Sequence, residues 1–149
     1  MTPNTSIRGN FLNKEKFIVD KLVKKYNSYN PFEICEKMNI NLIYADLGEI
    51  RGYYRYSKQN KFITINSILP DHEKLNVCAH ELGHAVLHSE YNRIFLNSTF
   101  FLPSKFENQA NRFAAYLILK GYADDIENIT VTDISKITGI TLEYLMLIS

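Results

Sequence analysis

The spacing of apolar residues predicts helices on both sides of a short β region. Apolar side chains recur at roughly helical intervals over residues 11–26, with lysines on the outer face. Asn30 then caps a short second helix over residues 31–39, which begins with a proline. Two longer helical patterns cover residues 71–88 and 104–120, and the glycine after the second pattern marks its end.

Between the second and third helices, aromatic and β-branched residues form three short runs that predict strands. These runs are residues 40–44, 52–56 and 61–65. The polar link 57–60 has the length and chemistry of a hairpin loop. We therefore expect an α+β fold with a small antiparallel sheet. The strand over residues 61–65 is one candidate for an open edge at which an extended peptide could add as a further strand.

The length of 149 residues fits a single domain over residues 1–149 that buries its own core. No repeat, low-complexity tract or linker divides the chain. Residues 1–10 carry turn formers without periodicity, so we expect a loose N-terminus there. Residues 122–149 hold two short helical patterns and predict a small helical C-terminal appendage.

Composition and charge exclude several classes of protein. Lysine and arginine number 17 against 16 acidic residues, so the net charge of +1 gives no basic surface and makes direct nucleic-acid binding an unfavoured function. No run of 18 apolar residues predicts a membrane span, and the first residues lack the apolar stretch of a secretory signal. We therefore expect a cytoplasmic protein in which Cys35 and Cys78 are reduced, packed thiols.

The chemistry is concentrated in the third helical pattern, which contains the motif His-Glu-x-x-His at residues 80–84. Residues four apart share one face of a helix, so His80 and His84 can direct both imidazoles at one metal ion. Two neutral imidazoles with an open coordination position suit Zn²⁺, which lowers the pKa of its bound water to about 7. Glu81 then has the position of a general base that activates water and returns the proton to the leaving amine.

A catalytic zinc usually takes a third protein ligand, and spacing favours an acid on another helix. His88 would lie about 12 Å along the helix axis from His80, so it is outer shell or plain surface, and His72 is no better placed. Glu107 opens the helix over residues 104–120, although Ser104-x-x-Glu107 also forms a capping box. Glu90 is a rival acid, but it follows too closely behind the motif helix to turn back easily.

Three tyrosines and one cysteine near the motif are further candidates for a role in the site. Alternation along the strand places Tyr54 and Tyr56 on one face and Tyr53 on the other. A tyrosine beside the metal could donate to an oxyanion, but packing in the core or on the surface is the favoured interpretation. Cys78 points about 200° around the helix from His80, so we do not count it as a ligand.

Two segments taken together resemble the ImmA/IrrE family of zinc metallopeptidases. They are His-Glu-Leu-Gly-His-Ala-Val-Leu-His at residues 80–88 and Glu-Asn-Gln-Ala-Asn-Arg-Phe-Ala-Ala at residues 107–115. The preceding hairpin also follows the family's order, and the resemblance covers roughly residues 30–120. It implies a zincin-like helical core that carries the motif helix. By the family's pattern, Glu107 is the third zinc ligand, beside the two motif histidines and the catalytic glutamate.

The resemblance further implies a zinc-dependent endopeptidase of prophage or mobile-element origin that cleaves a helix-turn-helix repressor and so relieves repression. The alternative is a non-hydrolytic protein that grips a repressor or transcription factor and uses zinc as a structural clip. Glu81 discriminates between them, because a purely structural site does not need this acid. A third possibility is a DNA-binding regulator built on residues 132–141, and the near-zero net charge of the chain disfavours it.

Overall fold

The computed structural model describes residues 3–89 and 104–121 together with the helical positions 132, 135 and 136, and it describes side chains from Lys14 onward. Within these residues the chain forms four helices and three strands, in agreement with the predicted α+β class. The helices are α1 (Pro3–Tyr26), α2 (Pro31–Lys37), α3 (Asp71–Leu87) and α4 (Ser104–Lys120). The strands are β1 (Asn41–Ala45), β2 (Gly52–Ser57) and β3 (Asn60–Asn66).

The sheet is mixed, with the strand order β1-β3-β2. The prediction of antiparallel strands is confirmed for β2 and β3, but it is wrong for β1, which pairs with β3 in parallel. The prediction that residues 61–65 form an open edge is also wrong, because β3 is the central strand. The cause is the loop over residues 46–51, which carries the chain past the end of β3 before β2 returns beside it. Within the described residues, β1 and β2 are therefore the two edges.

Asn66 at the end of β3 holds this crossing loop in place. Its side-chain amide donates to the carbonyls of Gly48 and Ile50, at 2.9 and 2.8 Å, and its Oδ1 accepts from the backbone N–H of Leu47. Because Asn66 is only 1% exposed, these bonds satisfy an amide that would otherwise be costly to bury. One buried side chain thus satisfies three backbone groups of the crossing loop.

The predicted hairpin between β2 and β3 is confirmed, and it determines which backbone groups face outward. Lys58 and Gln59 both have positive φ, 50° and 65°, as a two-residue type I′ turn requires. Such a turn makes its flanking pair, Ser57 and Asn60, a hydrogen-bonded pair. Alternation along the ladder then directs the backbone N–H and C=O of Tyr54 away from β3, toward the free side of β2.

The helix ends agree with the sequence signals except at the N-terminus. Asn30 caps α2 by accepting from the backbone N–H groups of Phe32 and Glu33, and Gly121 follows the last residue of α4. However, α1 already begins at Pro3, so the expectation of a loose end over residues 1–10 is wrong from that residue onward. Proline is well tolerated in the first turn of a helix, so Pro3 can begin α1. The spacing of apolar residues does not reveal this helix start. The predicted appendage, residues 122–149, lies outside the described residues apart from the three positions named above.

Helices α3 and α4 pack closely because small residues meet where they cross. A Cβ atom added at Gly83 would lie 3.2 Å from the Cα of Ala110 and 3.1 Å from the ring of Phe113. On the other side of α3, a Cβ at Gly52 would lie 2.5 Å from Val77 Cγ1, so the start of β2 is equally tight against this helix. The motif helix is therefore packed closely between α4 and the start of β2.

Two further features complete the fold. Cys35 and Cys78 are both buried free thiols whose sulfur atoms lie 3.9 Å apart, as expected of reduced, packed cysteines. Helix α1 is fastened to α4 by a buried ion pair between Glu15 and Arg112. Of the helices that the structure describes, none is both long and apolar enough to cross a membrane.

Candidate metal centre

Three side chains from two helices converge where α3 crosses α4. His80 and His84 lie one turn apart on α3, with ring centroids 4.8 Å apart, and Glu107 reaches them from the first turn of α4. One possible ligand atom from each of these residues lies within 4.8 Å of the others. The structure thus brings together the two motif histidines and the acid that the sequence singled out from another helix.

The carboxylate of Glu107 is turned toward α3. Its Oε1 lies 2.9 Å from Nε2 of His80 and 3.3 Å from Nε2 of His84. This contact argues against the alternative in which Glu107 serves only as the cap of its own helix. The side chains of His84, His80 and Glu107 are 2%, 22% and 43% exposed, so the cluster is closed on the side of the core and open beside Glu107.

Glu81 lies beside this cluster without belonging to it. It is buried against β2, and the backbone amide of Tyr54 faces its carboxylate. Burial raises the pKa of Glu81 above its usual value, and the neighbouring His80 and His84 oppose that rise only in part. A carboxyl group with a raised pKa that is close to two imidazoles is well suited to accept and return a proton near neutral pH.

The two open-side members of the cluster have opposite pKa shifts. Burial works against a charge on His80, but its hydrogen bond to Glu107 and the nearby carboxylates outweigh that effect and raise the pKa of His80. The hydrogen bond from His80, together with the closeness of His84, holds the pKa of Glu107 far below its usual value. The carboxylate is therefore ionised over the physiological pH range, as a metal ligand must be.

His88 is not a surface residue, because it is only 3% exposed and belongs to the same network. Its Nδ1 lies 3.0 Å from Nδ1 of His84, and its Nε2 lies 2.7 Å from Oε1 of Gln109. Of the two interpretations left open by the sequence, the outer-shell position is the one the structure supports. The spacing of four residues from His84 was a visible signal for it, whereas nothing in the sequence pointed to Gln109.

The remaining candidate residues of the sequence lie away from this cluster or do not point a ligand atom at it. His72 is exposed at the start of α3, and the sulfur of Cys78 faces Cys35. The hydroxyl of Tyr54 donates to the carbonyl of Ser89 at 3.3 Å, so the buried tyrosine packs behind the site, whereas Tyr53 lies on the exposed face. Glu90 lies outside the described residues.

The converging atoms match the preferences of zinc. Two imidazole nitrogens and one carboxylate oxygen are a common ligand set at catalytic zinc sites, which keep a further position open for water or substrate. Here the two imidazoles are fixed by a buried helix, and the open side of the cluster lies beside Glu107. Within the described part of the chain, no other group of three His, Cys, Asp or Glu side chains could hold a metal ion.

Comparison with known proteins is consistent with this geometry. The IrrE N-terminal-like domain, a peptidase family, matches residues 35–123, which include β1 to β3, α3 and α4. The chain belongs to the ImmA/IrrE family. The match contains every residue of the candidate metal centre, together with Glu81, His88 and Gln109.

This ImmA/IrrE chain is similar to one phage protein and to one bacterial metallopeptidase. It is 42% identical over 133 residues to the uncharacterized immunity region protein 2 of Bacillus phage phi105, covering 86% of this chain and 84% of the relative. It is 36% identical over 107 residues to the metallopeptidase ImmA of Bacillus subtilis strain 168, covering 70% of this chain and 62% of the relative. The resemblance inferred from the motifs is thus confirmed at the level of the family, which is one of metallopeptidases.

Proposed function

We propose that this protein is a zinc-dependent endopeptidase. The observation that carries the proposal is the convergence of His80, His84 and Glu107 at the helix crossing, with Glu81 next to it but outside the ligand set. Three ligands with an open side, plus a separate buried acid, are the parts that metal-assisted hydrolysis requires. The single domain over residues 1–149 and a cytoplasmic location remain predictions.

Each residue has a distinct role in this proposal. His80, His84 and Glu107 hold the ion, and a bound zinc supplies the Lewis acidity that polarises a scissile carbonyl and eases deprotonation of water. Glu81 accepts the proton from the attacking water and delivers it to the leaving amine, which its raised pKa favours. The core behind α3 keeps bulk water away from Glu81, so its proton transfers take place in a partly desolvated setting.

The edge strand β2 is the proposed binding site for an extended segment of the substrate. The backbone carbonyl of Tyr54 points away from β3 and can accept from an extended peptide, while the N–H of Tyr54 faces the carboxylate of Glu81. A peptide added along β2 would therefore run past the general base. Since only an extended segment can pair in this way, we expect cleavage within an unpaired stretch of the substrate and not trimming from an end.

The proposed substrate is a helix-turn-helix repressor whose cleavage relieves repression. Support comes from the name of the phage phi105 relative, an immunity region protein, and from the 84% of that relative's length that is covered. The competing proposal is a protein that binds a repressor without hydrolysis. The buried Glu81 favours the enzyme, because a structural metal clip gains nothing from a desolvated acid beside it.

Metal binding can be tested apart from catalysis. Glu107→Ala should lower zinc affinity by at least about 100-fold, because it removes one of three ligands from a site whose remaining two lie on one helix. A chelator-competition titration measures the affinity, and Glu36→Ala, at an exposed position of α2, serves as the control. Equal affinity in Glu107→Ala and the wild type would show that the third ligand is wrongly assigned.

The peptidase activity itself is tested with the zinc-loaded protein and a repressor encoded beside its gene. Mass spectrometry of the products should show one internal cut, absent from a parallel reaction with Glu81→Gln. Stepwise loss of single residues from either terminus would refute the endopeptidase assignment. Stable binding of the repressor without any cut would instead favour the non-hydrolytic alternative.

A further inference from the structure

We infer that His88 and Gln109 are positioning residues that fix the tautomer and ring orientation of His84, so that its Nε2 is presented to the metal. The inference rests on the proposed metal site but not on peptide hydrolysis. It concerns three polar side chains linked by hydrogen bonds: Gln109 on α4 contacts His88 at the end of α3, and His88 contacts His84 in the metal cluster. Neither His88 nor Gln109 lies in the group of possible ligands.

The direction of each hydrogen bond follows from the first one. Oε1 of Gln109 can only accept, so Nε2 of His88, at 2.7 Å, must donate its proton to it. A neutral His88 then has a bare Nδ1, which accepts from Nδ1–H of His84 at 3.0 Å. In the neutral form that a metal ligand must have, the proton of His84 is thereby held on Nδ1, and the lone pair of its Nε2 is presented to an ion bound between His84 and Glu107.

The ring of His88 is held firmly enough to impose this order. Phe106 stacks on it, with ring centroids 4.2 Å apart and planes inclined by 17°. The backbone N–H of His88 bonds the carbonyl of His84 at 2.8 Å, which fixes the main chain at the end of α3. His88 is only 3% exposed, so bulk water has little access to the site and cannot readily take the place of its Nδ1 as the acceptor.

The expected consequence is a contribution to metal affinity. Which imidazole nitrogen binds a metal is set by the hydrogen bond that the other nitrogen makes, and loss of such an outer partner typically costs 10–100-fold in affinity. His84 is 2% exposed, so without His88 its Nδ1–H would have no ready replacement for the acceptor. The ring would then be free to turn or to place its proton on Nε2, and either change opposes metal binding.

A matched pair of variants separates this role from packing. His88→Leu and His88→Asn have side chains of nearly the same shape, and both lose the stacking on Phe106, but only Asn retains an acceptor oxygen near the position of Nδ1. Zinc affinity, measured by competition with a chromophoric chelator, should fall about 10–100-fold in His88→Leu. His88→Asn should recover most of that loss. Thermal unfolding of both metal-free variants establishes that they are folded.

The tautomer is read directly in the wild type, which does not depend on any variant folding. In a ¹⁵N-resolved NMR spectrum of the zinc-loaded protein, the ring of His88 should carry its proton on Nε2 and none on Nδ1. A proton on Nδ1 of His88 would overturn the inference. So would equal affinities of His88→Leu and His88→Asn, and both results would leave the proposed function intact. Failure of the wild type to bind zinc would instead overturn the proposed function and this inference together.

Discussion

Replacing Glu81 by glutamine is expected to lower the rate of peptide hydrolysis by about 10²–10⁴-fold, which is the usual contribution of a general base. The amide has the same shape as the carboxylate but cannot accept a proton from water. Glu81 lies outside the three converging ligand atoms, so zinc affinity should stay within a few fold of the wild type. Stability should not fall either, because the substitution removes a buried carboxyl group whose charged form is disfavoured by burial.

The measurement pairs initial cleavage rates with a zinc titration on the same samples. Glu73→Gln is a suitable control, since Glu73 lies on the same helix but pairs with Arg51 away from the metal centre. A glutamine variant at position 81 that cleaves at the wild-type rate would refute the general-base role. A variant that loses activity and zinc together would show instead that Glu81 acts by supporting the ligands.

The part of the site that could be read from the sequence is the part built on one helix. The spacing of His80 and His84 determines their common face once α3 forms, whatever the rest of the chain does. Glu107 required a helix crossing, and the residues that permit it, Gly83 and Ala110, show no motif of their own. Gln109 could not be predicted, because its role exists only once α4 lies against the end of α3.

The same limit applies to the sheet. The hairpin between β2 and β3 follows from local turn chemistry, so it was predictable. The parallel pairing of β1 depends on the loop over residues 46–51 passing across the sheet, and on Asn66 satisfying that loop's backbone groups. An asparagine at the end of a strand gives no sign in the sequence that it will be buried. The sequence pattern therefore predicts the wrong strand, β3, as the open edge, because it does not reveal that β1 pairs on the far side of β3.

The largest expected effect on stability comes from breaking the buried ion pair of Glu15 and Arg112 between α1 and α4. Nε of Arg112 lies 2.8 Å from Oε1 of Glu15, and the side chains are 12% and 2% exposed. Arg112→Met removes the positive charge and leaves a buried carboxylate behind. The expected cost is about 3–5 kcal/mol in the free energy of unfolding, measured by urea denaturation of the metal-free protein.

Two comparisons identify the cause of that loss. Arg51→Met breaks an ion pair whose arginine is 53% exposed, so it should cost less than about 1 kcal/mol. The double variant Glu15→Leu with Arg112→Met removes both charges and should regain much of the stability, because replacing a buried pair by apolar side chains is often neutral. If Arg112→Met cost no more than Arg51→Met, burial of Glu15 would not be what makes this contact matter, and α1 would be held to α4 by apolar packing and the more exposed ion pair between Asp20 and Lys120.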